Sequence, residues 1–383
     1  MLSALRLWWS LLLGVVAIQV GNGLQSTAVG LSIDAAGFGP AAIAIVMGGF
    51  YVGQVLSSLL APRLIARFGH VPAYVSLTSI SALAPLVFLI ADDATTWTAA
   101  RFAFGFGLAG IFIAIESWLN DRSSNEMRGR VFAIYILVQL AGLMAAQFLV
   151  PLVAADRALT FALVVLFGVL AILPVAFGGA PRPARHPFAK ASFRLLFAAS
   201  PVGVAGAVIS GLVWAIVMSM APIYAQRSGF DAGGVAVFVA AAVLGGILLQ
   251  GPVGWLSDMR DRRLVLCVIA LLAASSALAG ALFGGGSRIL ATAAIMAVGG
   301  FTFPFYSVAI AHVNDRLEPA ERVPASGAMI LLFGLGSILG PFTASAAMAA
   351  AGPRGFFLLL AGSTALLGLF ALYRIATGRR LAA

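Results

Sequence analysis

The sequence predicts an all-α polytopic membrane protein in which twelve transmembrane helices form two pseudo-symmetric halves of six helices each. The composition, the spacing of the apolar runs and an internal repeat lead to this prediction. The chain of 383 residues is 62% hydrophobic and 9% charged, whereas soluble proteins are about 25% charged. Because a membrane-spanning helix takes roughly 20 apolar residues, the apolar content is sufficient for about twelve spans.

Apolar runs separated by charges, Gly and Pro place these spans in two sets. The first six lie near residues 8–32, 41–61, 71–91, 97–119, 130–153 and 159–180. The second six lie near residues 197–225, 233–256, 263–284, 288–312, 324–350 and 354–375. The longest polar break predicts an N-terminal bundle at 1–180, a cytoplasmic linker at 181–196 and a C-terminal bundle at 197–383.

The positive charges orient the spans, since Lys and Arg are enriched in cytoplasmic loops. Most of the 23 Lys and Arg residues lie in the terminal segments and in the loops that follow even-numbered spans. We therefore expect both termini to face the cytoplasm. The formal charge of +10 falls mainly on that inner face. A nucleic-acid partner is not expected, because it would need basic residues clustered on a solvated surface.

An internal repeat relates the two halves. The segment Asn120-Asp121-Arg122 is followed six residues later by Arg128, and the same pattern recurs 194 residues further along the chain. Its second copy consists of Asn314-Asp315-Arg316 and Arg322. Small residues agree at the same offset, pairing Gly105 with Gly299 and Gly142 with Gly336.

These features resemble the major facilitator superfamily, whose two six-span halves are parallel repeats. The loop after span 8 carries the superfamily's signature of a glycine, an acid and a basic pair, here Gly254, Asp258, Arg262 and Arg263. The loop after span 2 keeps only Arg67 and the second glycine of that signature, Gly69, and lacks the acid. Arg101 and the glycines after it are similar to a signature of the fourth span.

Two further stretches resemble a bacterial branch of largely uncharacterised members related to drug:proton antiporters. They begin at Glu116 in span 4 and at Tyr306 in span 10. The glycine-proline pattern that such antiporters carry in span 5 lies instead in span 11, at Gly336 to Pro341. The resemblance implies a monomeric secondary transporter of the bacterial inner membrane, with a small-molecule substrate, protons and the lipid bilayer as its partners.

The resemblance favours proton-coupled efflux of amphipathic or apolar compounds by alternating access. A proton-coupled importer of a metabolite, a lipid flippase and a non-transporting scaffold stay open as alternatives. The sequence contains neither a Walker-type phosphate loop nor an HExxH motif, so ATP-driven pumping and metalloprotease chemistry have no support. We expect no enzyme activity, no cofactor and no metal site.

Charged residues within a span are functional candidates, because burying them in hydrocarbon is costly. Glu116 is the candidate proton carrier. Arg101 lies on the same helix face, fifteen residues earlier, and would modulate the outer half of the proton path. The alternative is that Glu116 only braces a cytoplasmic charge cluster. His312, near the end of span 10, is a titratable candidate or a neutral histidine hydrogen-bonded between helices.

Polar and aromatic side chains within the spans are candidates for lining a substrate cavity. Gln19, Asn22 and Ser26 share one face of span 1, because residues three and four apart are neighbours on a helix. An equal alternative for the polar side chains is that they only hold helices together. The aromatic side chains are more often lipid-facing or packed in the core than in contact with a substrate. The full candidate set is Gln19, Asn22, Ser26, Gln54, Gln139, Trp214, Gln250 and Tyr306.

Charges at the cytoplasmic helix ends form a predicted gating network. Intact, the network would favour the outward-open state, and broken, it would release the two halves. The alternative is that these charges only set the topology. The predicted members are Asp121, Arg128, Gly254, Asp258, Arg262, Arg263, Asp315 and Arg322.

Overall fold

The computed structural model describes residues 2–122, 125–177 and 193–380. Within these ranges the described side chains exclude those of residues 2–8, 34–35, 120–122, 125–130, 133, 176–177, 194–195, 198, 319–320, 322–324 and 378–380. The predicted linker at 181–196 therefore lies largely outside the described residues. The side chains of Asp121, Arg128 and Arg322 lie outside them as well.

Long helices make up the first half of the chain. They are α1 (Leu2–Ala35), α2 (Pro40–Phe68), α3 (His70–Leu83), α4 (Ala94–Arg122), α5 (Asn125–Val153) and α6 (Arg157–Phe177). A 3₁₀ segment, Ala84–Leu89, extends α3 to the length of a span. Gly69 separates α2 from α3 with a φ of 90°, a conformation that glycine adopts without steric cost.

Shorter helices join to form several spans of the second half. They are α7 (Phe193–Ala199), α8 (Pro201–Ala215), α9 (Ala221–Arg227), α10 (Ala232–Met259), α11 (Arg262–Phe283), α12 (Arg288–Thr302), α13 (Phe305–Asn314), α14 (Pro319–Ala351) and α15 (Gly355–Arg380). A π segment, Ile216–Met220, joins α8 to α9. Pro222 follows it and has no N–H to donate to the helix ladder, which accounts for the local widening.

Twelve helices in the described part of the chain are long and apolar enough to cross a membrane. Each corresponds within several residues to one of the predicted spans, for example Ala94–Leu119 to span 4 and Arg157–Val175 to span 6. The predicted all-α fold with twelve spans is confirmed.

The helices group into two compact units. Unit 1 comprises Met1–Phe38 and Ile45–Phe188, and unit 2 comprises Gly39–Ala44 and Ala189–Ala383. Backbones approach closely within each unit at glycines. A Cβ on Gly105 would overlap the carbonyl of Phe50, and a Cβ on Gly299 would overlap the carbonyl of Ala242. Side chains larger than hydrogen would push these helices apart.

The glycine contacts refine the internal repeat. Gly105 and Gly299 are 194 residues apart, whereas their partners Phe50 and Ala242 are 192 apart. The 194-residue offset predicted throughout therefore applies to spans 4 and 10, while spans 2 and 8 follow an offset of 192.

A second pair of close approaches agrees with this correction. Gly142 packs on Val16 in unit 1, and Gly336 packs on Val208 in unit 2. The glycines are again 194 residues apart and their partners 192. Spans 1 and 7 thus share the offset of spans 2 and 8. The first residues of α3 and α11 are 192 residues apart, whereas the first residues of α4 and α12 are 194 apart. The two extra residues of unit 2 therefore lie between the start of α11 and the start of α12.

Candidate functional site

A chain of amide side chains links α1 to α5 in unit 1. Gln19 Nε2 donates to Gln139 Oε1 over 3.0 Å, and Asn22 Nδ2 donates to Gln19 Oε1 over 2.9 Å. Gln19 is buried, whereas Asn22 and Gln139 are half-buried. The structure thus brings three predicted cavity residues together, while Ser26 is half-buried one turn further along α1.

A second polar pair on the same two helices escaped the sequence analysis. Thr27 Oγ1 donates to Gln147 Oε1 over 3.2 Å, and both side chains are buried. The available signal was the run of polar residues along α1, which continues past Ser26 to Thr27. Gln54, another predicted cavity residue, is half-buried on α2.

Arg101 belongs to α4, and its side chain is completely buried. Its side chain is 1% exposed, its NH1 donates to Gln25 Oε1 over 2.7 Å, and its guanidinium lies 4.5 Å from the ring centroid of Phe50. Gln25 was not among the predicted site residues, although it lies three residues after Asn22 on α1. Arg101 is therefore held by α1 and α2.

Glu116 has a different environment from Arg101. Tyr135 of α5, which is 1% exposed, donates its hydroxyl proton to Glu116 Oε1 over 3.1 Å. The Glu116 side chain is itself exposed, although it lies within the span Ala94–Leu119. Among the described residues Glu116 and Arg101 have no partner in common, so the expected shared path is not a direct contact.

His70 is a polar residue of unit 1 that the sequence analysis missed. It opens α3, it is buried, and its Nε2 lies 3.0 Å from Ser117 Oγ. The His70 ring centroid lies 5.9 Å from that of Trp118. Because Ser117 and Trp118 directly follow Glu116, this contact joins the start of α3 to the end of span 4.

The predicted cavity residues of unit 2 lie among aromatic rings. Trp214 lies 4.9 Å from Phe303, and Tyr306 lies 5.4 Å from Phe333, measured between ring centroids. Gln250, which was expected to face the cavity, is half-buried and donates to Ser307 Oγ over a long 3.4 Å.

The charges at the predicted cytoplasmic side of unit 2 centre on Arg262. Its Nε donates to Asp315 Oδ2 over 2.7 Å, and its NH1 lies 3.0 Å from Asp258 Oδ1. Arg262 NH1 also donates to Ser257 Oγ over 2.9 Å. The structure thus joins three predicted gating residues through one guanidinium.

Arg263 pairs with Asp261, which is not among the predicted members of the network. Its NH2 lies 2.8 Å from Asp261 Oδ2, and its backbone N–H donates to Asp261 Oδ1. The hydrogen bonds from Arg263 lower the pKa of the Asp261 carboxyl. Gly254, the remaining described member of the predicted network, is half-buried, and a Cβ there would have no neighbour within 4 Å.

His312 lies on the wall of a cavity of about 400 Å³ beside this network. The imidazole is 4% exposed, and Arg316 NH1 approaches its Nδ1 to 2.7 Å. Because a guanidinium can only donate, Nδ1 must accept and carries no proton. The cavity is lined by Ser257, Asp258, Arg260, Asp261, Arg262, His312, Asp315 and Arg316.

The Major Facilitator Superfamily profile matches residues 11–275 and 204–381. The chain belongs to the Major Facilitator Superfamily. Members of this superfamily are membrane transporters of small-molecule substrates and not enzymes. Among the residues that the structure describes, no three His, Cys, Asp or Glu side chains are grouped so as to hold a metal ion.

Similar proteins cover nearly the whole chain. The uncharacterized MFS-type transporter YcaD of Salmonella paratyphi B (strain ATCC BAA-1250 / SPB7) is 28% identical over 363 residues, which cover 92% of this chain and 91% of YcaD. The solved structure of the nucleoside transporter NupG superimposes with a TM-score of 0.72 at 15% identity and covers 96% of this chain and 99% of NupG. A D-xylose-proton symporter reaches 0.76 at 13% identity, covering 95% of this chain and 97% of that structure. These likenesses establish the Major Facilitator fold.

Proposed function

We propose that this chain is a secondary active transporter that exports small amphipathic organic compounds in exchange for protons. The observation that carries the proposal is Glu116, a carboxylate within span 4 that is exposed yet hydrogen-bonded by the buried Tyr135. A proton carrier needs a fixed neighbour that orients it and a side of the carboxylate that is not covered by protein, and Glu116 combines the two.

The placement of acidic residues supports this choice. Two acidic residues fall within the candidate spans of the described chain, Glu116 and Asp258. Asp258 lies at the last turn of its span and pairs with Arg262. Glu116 has no cation within ion-pair distance among the described residues. A carboxylate without a paired cation can change protonation without breaking an ion pair.

We further propose that the two six-helix bundles, 1–180 and 197–383, alternate access to the substrate, with 181–196 as a cytoplasmic linker. The duplicated glycine contacts support two equivalent bundles, the arrangement that such transporters use. The distribution of Lys and Arg supports cytoplasmic termini, and we propose the bacterial inner membrane as the location. The relationship to drug:proton antiporters and the monomeric state belong to the same proposal.

The network around Arg262 supports a gating role at the predicted cytoplasmic side. An exposed pair contributes only about 0–1 kcal/mol. One guanidinium that joins Asp258 and Asp315 links the end of α10 to the end of span 10. We propose that this linkage stabilises one conformation of unit 2 and is released during transport.

Proteoliposomes with an imposed pH gradient test the function. Three fluorescent probes of different charge are offered: ethidium, Nile red and carboxyfluorescein. An antiporter accumulates its probe when the lumen is acidic, whereas a proton-coupled importer does so when the exterior is acidic. Flux that ignores the direction of the gradient would contradict proton coupling, and the absence of any flux would favour a scaffold.

Glu116→Gln tests the proton carrier in the same assay. We expect accumulation of the probe to fall at least about tenfold, because the variant lacks the carboxylate that would carry the proton. Asp231→Asn is the matched control, since Asp231 is an exposed acid that caps α10 and Asn caps helices equally well. If Glu116→Gln kept the proton dependence of Asp231→Asn, Glu116 would not be the carrier.

A further inference from the structure

The buried arginine of span 4 has no counter-ion within the described part of the chain. Arg101 is 1% exposed, yet no carboxylate lies within ion-pair distance of it among the described residues. Glu116, on the same helix, is fifteen residues away, which is about 22 Å at 1.5 Å per residue. Among the described residues of unit 1, therefore, no carboxylate neutralises the positive charge of Arg101.

Gln25, Phe50 and Tyr51 interact with Arg101 and compensate only part of that charge. Gln25 offers a carbonyl oxygen at 2.7 Å, and Phe50 offers the face of its ring at 4.5 Å. An aromatic face stabilises a cation by about 0.5–2 kcal/mol, whereas removing an ion from water costs several kcal/mol in real proteins. Because the charge of this buried cation is only partly compensated, binding an anion beside it should be favourable.

Two hydrogen-bond donors of the Arg101–Gln25 pair are unsatisfied. Arg101 Nε and Gln25 Nε2 are both buried and have no acceptor among the described residues. The amide orientation is determined by chemistry, because only the oxygen of Gln25 can face the donating NH1 of Arg101. The two groups in contact thus each retain an unused N–H.

We propose that Arg101 and Gln25 bind the carboxylate of an amphipathic organic anion, and that this anion is the transported solute. The inference rests on the proposed transport function, whose substrate class it specifies. Vacant N–H groups on a guanidinium and an adjacent amide are the donors that a carboxylate requires. Both side chains are enclosed, so the anion reaches them in a conformation that opens the interior of unit 1.

The surroundings select among anions. One guanidinium neutralises one negative charge, which favours a monoanion over a doubly charged phosphate. The planar donors of an arginine match the two oxygens of a carboxylate better than a spherical halide. Phe50 and Phe104, 6.2 Å apart between ring centroids, supply apolar surface for the organic part.

The site is specific to unit 1. Under the offsets established by the glycine contacts, Ile295 takes the place of Arg101 and Val217 that of Gln25. Both are fully buried apolar residues. Unit 2 therefore offers no equivalent charge, and a single anion per chain is expected.

Binding is measured on the purified full-length protein in nanodiscs by isothermal titration. Three carboxylates are each compared with their neutral amides: benzoate with benzamide, phenylacetate with phenylacetamide, and octanoate with octanamide. We expect at least one carboxylate to bind about tenfold or more tightly than its amide, because a charge-assisted hydrogen bond is lost in the amide. Equal binding within all three pairs would overturn the proposal. Chloride is titrated separately, and chloride binding that abolishes the preference for carboxylates would assign the site to a halide instead.

Two variants locate the site. Arg101→Gln should remove the preference for the carboxylate, while Arg67→Gln should keep it, since Arg67 also lies over a ring, that of Phe68, but is exposed. Gln25→Glu places a carboxylate against Arg101 from within the chain. We expect it to raise the melting temperature of the ligand-free protein and to weaken benzoate at least about tenfold, because the site is then already occupied.

A purely structural role of Arg101 gives a different pattern. In that case Gln25→Glu would leave carboxylate binding unchanged, which would overturn the proposal even if Arg101→Gln did not fold. Carboxylate binding and proton-driven flux are measured independently. Flux without a carboxylate preference would refute this inference alone, whereas Arg101-dependent binding without flux would refute the proposed transport.

Discussion

Unit 1 and unit 2 share the same close helix contacts but differ in what lies between the helices. Where Gln19 hydrogen-bonds Gln139 in unit 1, the equivalent Gly211 of unit 2 lies directly against the Phe333 backbone. Where Arg101 lies over Phe50, unit 2 has Ile295. A duplicated scaffold thus retains its glycine contacts, while at these two positions unit 1 has an amide and a guanidinium and unit 2 has Gly211 and Ile295.

The two units also differ at the predicted cytoplasmic side. His70 opens α3 and contacts Ser117, whereas Arg262 opens α11 and contacts Asp315. The acid on the preceding helix, Asp258, is present only in unit 2. The ionic linkage of unit 2 is replaced in unit 1 by a hydrogen bond between a histidine and a serine. We infer that unit 1 specialises in recognition and proton transfer, and that unit 2 specialises in gating.

The largest expected effect tests what the two units share. Gly105→Ala and Gly299→Ala should each cost about 1–3 kcal/mol or more, because the new methyl group overlaps a backbone carbonyl that cannot easily move. The melting temperatures and folded yields of the purified variants measure this. Gly254→Ala is the control, since a Cβ there has open space around it. A large loss in only one unit would break the proposed equivalence.

An intermediate effect tests the polar interior of unit 1. Gln19→Leu leaves Gln139 and Asn22 without their partner, and should cost about 1–2 kcal/mol. The double variant Gln19→Leu/Gln139→Leu should recover part of that loss, because two apolar residues leave fewer buried polar atoms unpaired. Thermal unfolding of the single and double variants gives the coupling. Simple additivity would mean that the amides line a hydrated cavity and do not hold α1 to α5.

The smallest effect tests the gating side of unit 2. Arg262→Gln breaks two ion pairs and should destabilise the protein more than Arg263→Gln, which breaks one, each by about 1 kcal/mol or less per pair. Melting temperatures at neutral pH compare them. The reverse order would remove Arg262 from the centre of the network.

The contribution of Arg263 should also depend on pH. Because Arg263 lowers the pKa of Asp261 in the folded state, this stabilisation is fully present above the ordinary aspartate pKa of about 3.9. It is lost as the pH falls through the lower folded pKa. The difference in melting temperature between the wild type and Arg263→Gln should therefore shrink as the pH is lowered toward 3. A difference independent of pH would contradict the pairing.

The sequence by itself determined the twelve spans, the duplication and the family. Hydropathy reports these features because crossing a bilayer requires long apolar helices, and the repeated Asn-Asp-Arg segments mark the duplication directly. Asp258 and Arg262 both belong to the charge network predicted from the sequence, and the structure pairs them.

Only the tertiary structure decided which polar residues meet across helices. Gln25 with Arg101, Tyr135 with Glu116 and Thr27 with Gln147 are separated by 19 to 120 residues. Membrane helices are apolar on the faces toward lipid and toward protein alike, so the pattern of hydrophobicity does not reveal how each helix is rotated. The register and rotation follow from close packing at glycines such as Gly105, and packing of that kind is a property of two helices together.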